Sequence, residues 1–145
     1  MGHETGHYVL HHIYQFIVFF SLVIAVGFVL LRGAFAWALA RWGQRWGVRG
    51  IDDPAGMPLL SVIFSIYFFV LTPVLNTYVR ETEAAADIFG LNAARQPDGF
   101  ALIALKLAEY RKLDPGPLEE ILWFDHPSGR ARIRMAMQWK AASPP

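Results

Sequence analysis

Two stretches of the chain, residues 13–31 and residues 57–79, carry no formally charged side chain. Apolar residues follow one another there without the three- and four-residue spacing that leaves one helix face polar. At ~1.5 Å per residue the first stretch just crosses a ~30 Å hydrocarbon core. The second is longer and contains Pro58 and Pro73, so it is expected to tilt or kink near its C-terminal end. Both read as transmembrane helices, because buried helices of soluble proteins rarely run so long without a charge. Between them Arg41, Arg45 and Arg49 recur every four residues beside Trp42 and Trp46. That pattern predicts a short amphipathic helix at the bilayer surface within an interfacial connection over 32–56. Asp52, Asp53, Pro54 and Gly56 then predict a turn.

Beyond residue 79 the sequence becomes ordinary polar helical sequence. One helix is expected over about 80–91, and another after Pro97 with Asp98 as its N-cap and an apolar face of Phe100, Ile103, Ala104 and Leu107. Pro115, Gly116 and Pro117 interrupt it. A short helix over 118–123 leads to Asp125-His126-Pro127, and a last helix carries Arg130, Arg132, Ile133 and Met137. The end, Ser143-Pro144-Pro145, is expected to fray. The fold class is therefore all-α. A first helix over 1–12 precedes the two spans, and a helical region over 80–145 follows them.

Composition supports that class. Of 145 residues, 54% are hydrophobic and 17% charged, which suits one domain in a membrane. A formal net charge of +1 gives no strong field, and the arginines are not interleaved with a stacking platform, which argues against a nucleic-acid partner. The absence of cysteine excludes disulfides, thiolate metal sites and cysteine nucleophiles. Any metal must be held by His, Asp or Glu. The first apolar run follows histidines rather than a basic start and is succeeded by a second span, unlike a signal peptide.

The first seven residues contain His3-Glu4-Thr5-Gly6-His7, the H-E-x-x-H pattern. On a helix, positions four apart share a face, so two imidazoles can bind one zinc ion while Glu4 lies beside the water at the metal, placed to act as general base. Zinc then needs a third ligand from the same side of the membrane. Two spans return the chain to the side it left, at Arg80-Glu81-Thr82-Glu83-Ala84-Ala85-Ala86-Asp87. Glu83 and Asp87 are four apart, so Glu83 can ligate while Asp87 hydrogen-bonds a ligand imidazole. Glu81 is rotated about 200° away and belongs on a solvated face. The small residues 84–86 are expected to let this helix approach the first closely.

The ordered blocks His3 to His7, Arg80-x-x-Glu83-x-x-Ala86-Asp87 and His126-Pro127 followed by Arg132-Ile133 resemble the C-terminal half of a family of integral-membrane zinc peptidases. This family is related to the type-one CAAX prenyl protease and the bacterial heat-shock membrane protease. The segment Ala104-Leu105-Lys106-Leu107-Ala108-Glu109 also resembles the family. The resemblance implies one zinc ion held by His3, His7 and Glu83, Asp87 as outer partner, and a peptide or protein substrate. It also implies that His126 and Arg132 are polar groups near the site, helping to stabilise an oxyanion. For His126 the residue types alone equally allow a helix cap beside Pro127, and for Arg132 a surface or carboxylate-pairing role. A CAAX substrate does not follow, because fold does not fix substrate.

Asp125 and Val79 depart from the small hydroxyl residues usual in the family. The family's upstream helices and substrate-holding edge strand precede its motif, whereas here Met1 lies directly before it. The chain alone is accordingly expected to bind metal but cleave poorly, with upstream helices or a second copy as partners. Two rival readings stand beside the enzyme: a non-catalytic zinc-binding membrane fragment, and, from His7-x-x-x-His11-His12, a di-iron oxidoreductase. Otherwise His11 and His12 read as polar residues at headgroup level. The resemblance places the zinc side in the cytoplasm of a bacterial inner membrane, and we follow it, although Arg32, Arg41, Arg45 and Arg49 in the opposite connection favour the reverse.

Overall fold

The computed structural model describes residues 2–107 and 112–143. Its helices are α1 (Gly2–Val9), α2 (His12–Trp46), α3 (Met57–Ala94), α4 (Pro97–Leu107), α5 (Pro117–Trp123) and α6 (Gly129–Ala142), with a 3-10 turn at Pro54–Gly56 before α3. Among the described residues there is no strand, so the class is all-α. Two of the helices, α2 and α3, are long and apolar enough to cross a membrane. The expected fraying at Pro144 and Pro145, and the family-like Ala108 and Glu109, lie outside the described residues, as does Met1.

Element boundaries differ from expectation in three places. No separate surface helix or loop begins at residue 32, because α2 runs on to Trp46. The segment 34–42 is rich in alanine with no proline or glycine, and good helix formers carry the helix past the point where the uncharged run ends. For the same reason α3 continues through Val79 and Arg80 to Ala94, with Pro73 inside it. The first helix, by contrast, ends early: His11 takes φ 56, in the left-handed region, and separates α1 from α2.

The chain divides into two compact units, Gln15–Leu71 and the remainder. In the Gln15–Leu71 unit the parts of α2 and α3 pair antiparallel. The Tyr67 hydroxyl donates to the Val23 carbonyl at 2.6 Å, the Tyr67 ring covers Gly27, and Phe35 packs on Gly56. A Cβ at Gly56 would lie 2.8 Å from the tip of the Phe35 ring, so any larger residue there would require the ring to shift. The connection is closed by Gly47 at φ 70, by Val48 N–H donating to Gly43 O, and by Asp53. The Asp53 carboxylate accepts from Ala55 N–H and from the Arg49 backbone and side chain. Arg41 and Arg45 stand on the last turns of α2 among Trp37, Trp42 and Trp46, whose rings contact in sequence at 5.1 and 5.4 Å.

In the other unit, α4 packs on α6 around buried Ala104 and Ala136. The Lys140 ammonium holds both Asp98 oxygens at 2.7 Å, and Trp139 donates to Asn92 at 2.7 Å. Asp98 therefore lies inside the first turn, paired across to α6, rather than capping α4, which already begins at Pro97. Ser128 caps α6 through the Ala131 N–H.

Candidate metal centre

The site begins with two helices that meet through small residues. Gly2 and Gly6, four apart on α1, lie against Gly90 and Ala86, four apart on α3. A Cβ built on either glycine of α1 would stand 3.1 Å from the opposing Cα. The close approach thus uses Ala86 and Gly90, both buried, whereas Ala84 and Ala85 are only half-buried. Residues three and four apart share a helix face. Hence the face that buries Gly2 and Gly6 presents His3 and His7, and the face that buries Ala86 and Gly90 presents Glu83 and Asp87.

The side chains converge accordingly. His3 Nε2 lies 3.1 Å from His7 Nε2. Glu83 reaches His3 Nε2 through Oε2 at 3.3 Å and His7 Nε2 through Oε1 at 3.4 Å. Donors bound tetrahedrally to one zinc ion at ~2.0–2.1 Å sit about 3.3 Å from each other. The two imidazole nitrogens fit that spacing, the carboxylate faces each of them through a different oxygen at a similar distance, and one ligand atom from each of the three residues lies within 4.8 Å of the others; two imidazoles with one carboxylate are a zinc-type donor set. Glu4 stands between the histidines on α1 with an exposed side chain.

Around these donors lies a second layer of polar groups. Asp87 is fully buried. Its Oδ1 accepts from His3 Nδ1 at 2.8 Å, and both its oxygens bind Arg132, Nε at 2.7 Å and Nη2 at 2.6 Å. The Arg132 guanidinium also lies over the Phe100 ring at 5.2 Å. Of the roles left open for Arg132, the structure therefore displays carboxylate pairing. His126 does not cap α6, since Ser128 does. Its Nε2 is 3.5 Å from Glu83 Oε2 and its Nδ1 is 2.9 Å from Asp125 Oδ1.

His126 reaches this place because α5 is tied to α3. Arg80 Nη1 donates to the carbonyls of Glu120 and Phe124 at 2.9 and 2.7 Å, and Asn76 donates to Leu122 O at 2.7 Å. These donors reach carbonyls at the end of α5 and just past it, of which that of Glu120 also accepts from the Phe124 N–H. Glu120 in turn accepts from Ser128 N–H at 3.1 Å, which fixes the bend carrying His126. Arg80 was legible only as part of the resemblance. His12, read from the sequence only as a polar residue at headgroup level, has a partner within the protein. It is buried, 3% exposed, with Nδ1 2.9 Å from His7 Nδ1.

Comparison with known proteins bears on this arrangement directly. The model of peptidase family M48 matches residues 1–140. The chain belongs to peptidase family M48. Over 138 residues it is also 31% identical to a Bacillus subtilis (strain 168) protein named "Uncharacterized metalloprotease YhfN". That match covers 94% of this chain but 32% of the relative, so the chain spans about a third of the relative's length. No solved structure matches. Membership of M48, with a relative named a metalloprotease, implies a metal, and the donor set at His3, His7 and Glu83 fits zinc.

Proposed function

We propose that this M48 chain carries the catalytic centre of a membrane zinc endopeptidase, with His3, His7 and Glu83 holding one zinc ion and Glu4 as general base. The observation that carries the reading is the convergence of His3 Nε2, His7 Nε2 and the two Glu83 carboxylate oxygens, at separations of 3.1 to 3.4 Å, from the H-E-x-x-H motif and the helix facing it. Zinc bound there supplies Lewis acidity, polarising a peptide carbonyl and acidifying water. Glu4 accepts the proton of the attacking water and delivers it to the leaving amine, so that its carboxylate is restored at the end of each turnover. His126, on the Glu83 side of the centre, donates a hydrogen bond to the developing oxyanion. Arg132 acts through Asp87, which holds the His3 ring. The relation to the CAAX-type and heat-shock membrane proteases belongs to the same proposal, as does a peptide or protein substrate.

A membrane location is supported by the surface of α2 and α3. A core helix of a soluble protein would be mostly buried, yet the most apolar stretches of these two are 11% and 0% buried.

The test uses the purified chain in detergent, alone and within whatever longer protein carries it. One zinc per chain and chelator-sensitive peptide hydrolysis are expected. Glu4→Gln should keep the zinc and lose about 10²–10⁴-fold in turnover. Zinc retention with undiminished hydrolysis in that variant would remove Glu4 from proton transfer, and zinc retained in full by Glu83→Ala would remove Glu83 from the ligand set.

A further inference from the structure

His7 and His12 are five residues apart, a spacing that on an uninterrupted helix turns the second side chain about 140° away from the first. The helix is interrupted between them. His11 occupies the left-handed region at φ 56, where residues other than glycine are uncommon, α1 ends at Val9, and α2 starts at His12 itself. This break swings His12 back onto the ring of His7. The two rings meet edge to face at 75°, centroids 4.9 Å apart, with Nδ1 2.9 Å from Nδ1. His12 is buried at 3% exposure, so the contact is a fixed part of the fold rather than a passing surface encounter.

Two imidazole nitrogens at that distance need one N–H and one lone pair between them. His7 points its other nitrogen, Nε2, at His3 Nε2 and Glu83. A ring that ligates through Nε2 must keep that nitrogen unprotonated and carry its proton on Nδ1. We infer that His12 is a positioning residue for the metal centre: its Nδ1 accepts the Nδ1–H of His7, fixing the tautomer and the ring angle that aim His7 Nε2 at the zinc. The inference rests on the proposed zinc ligation. The two ligand imidazoles would then be held in different ways. His3 is held by the anionic Asp87, itself bound by Arg132, and His7 by a neutral imidazole from the start of α2. The left-handed residue at His11 acquires a reason, since without it His12 would face away.

The experiment compares zinc affinity, by chelator competition, and the visible spectrum of the cobalt-substituted protein across variants of the full chain in detergent. His12→Phe fills the space without an acceptor. His12→Asn places an amide oxygen where Nδ1 stood. Expected is a 10–100-fold loss of zinc affinity and a shifted cobalt spectrum for His12→Phe, with both returning towards wild type in His12→Asn. Wild-type affinity and spectrum in His12→Phe would overturn the inference. So would equal losses in His12→Asn and His12→Phe, which would make the role one of packing. If instead the wild type binds no zinc, or His3→Ala binds it as well as wild type, the ligand assignment fails, and that result is read separately from the His12 variants.

Discussion

At the scale of single residues, Asp87 shows how much the proposed centre rests on groups outside its donor set. A carboxylate with no exposed surface is costly to bury unless its charge is matched and its oxygens are occupied. Here the fork of Arg132 takes both oxygens and the His3 ring shares one. Asp87→Asn keeps an oxygen for His3 but removes the charge opposite Arg132, whose side chain is itself only 18% exposed. Breaking one side of such a pair costs about 3–5 kcal/mol when both partners are fully buried, and the partial exposure of Arg132 puts the expected loss at the lower end. Chemical unfolding of the zinc-free protein should register that loss. Chelator competition should show zinc affinity falling 10–100-fold, because the His3 ring is less firmly oriented. Unchanged stability and affinity would mean that the buried pair does not support the site.

At the scale of elements, the centre is a contact between two helices, and glycine sets its closeness. The nearest atoms to a Cβ at Gly6 are the Cα and carbonyl oxygen of Ala86, both 3.1 Å away and both backbone, so they cannot yield by rotating a side chain. Gly6→Val should push α1 off α3 and separate His3 and His7 from Glu83, abolishing zinc binding in metal analysis although no ligand is changed. Retained zinc would show that α1 can shift along α3 without losing the site. The turn between the long helices supplies a pH-dependent element. The Arg49 backbone N–H first, then the Ala55 N–H and the Arg49 side chain, hold the Asp53 carboxyl below its ordinary value of 3.8. A depressed carboxylate contributes stability that is present above the ordinary value and lost as pH falls through the lower, folded one. Amide exchange over 49–55 should therefore quicken in that acid window, and Asp53→Asn should exchange faster already at neutral pH. His3, His7, Glu83 and Asp87 were legible in the sequence because each pair lies within one helical turn, where spacing alone fixes the shared face. His12 was not, because its place depends on a backbone break at His11 that no spacing reveals. The ends of α2 and α3 were misplaced because a change from apolar to charged composition marks a change of surroundings and does not by itself end a helix. The true stop of α2 is at Gly47, in the left-handed region.

At the scale of the whole molecule, α2 and α3 leave much apolar surface uncovered by the described residues. Val18, Phe28, Val29 and Phe69 are each at least 70% exposed, and every such side chain forgoes about 1.5–3 kcal/mol of burial in water. The lipid surroundings proposed above would remove that penalty without any further protein contact. As a 35-residue helix, α2 extends about 52 Å, well beyond a ~30 Å hydrocarbon core. In the membrane placement proposed above, its uncharged part would fill the core, and the turns bearing Trp37, Arg41, Trp42, Arg45 and Trp46 would lie at the headgroup level, where aromatic and basic side chains are favoured. Two such crossings would leave the residues before α2 and those after the span in α3 on one side and the connection at 47–56 on the other. Gln96 and Gln44 are both exposed and fall on opposite sides in this scheme. With Gln96→Cys and Gln44→Cys in otherwise cysteine-free protein, an impermeant thiol reagent added to intact bacteria with a permeable outer membrane should label position 44 alone if the zinc side is cytoplasmic. Labelling of position 96 alone would keep the two crossings but reverse the orientation, in agreement with the arginines of the connection. Equal labelling of both positions from outside would overturn the two-span arrangement.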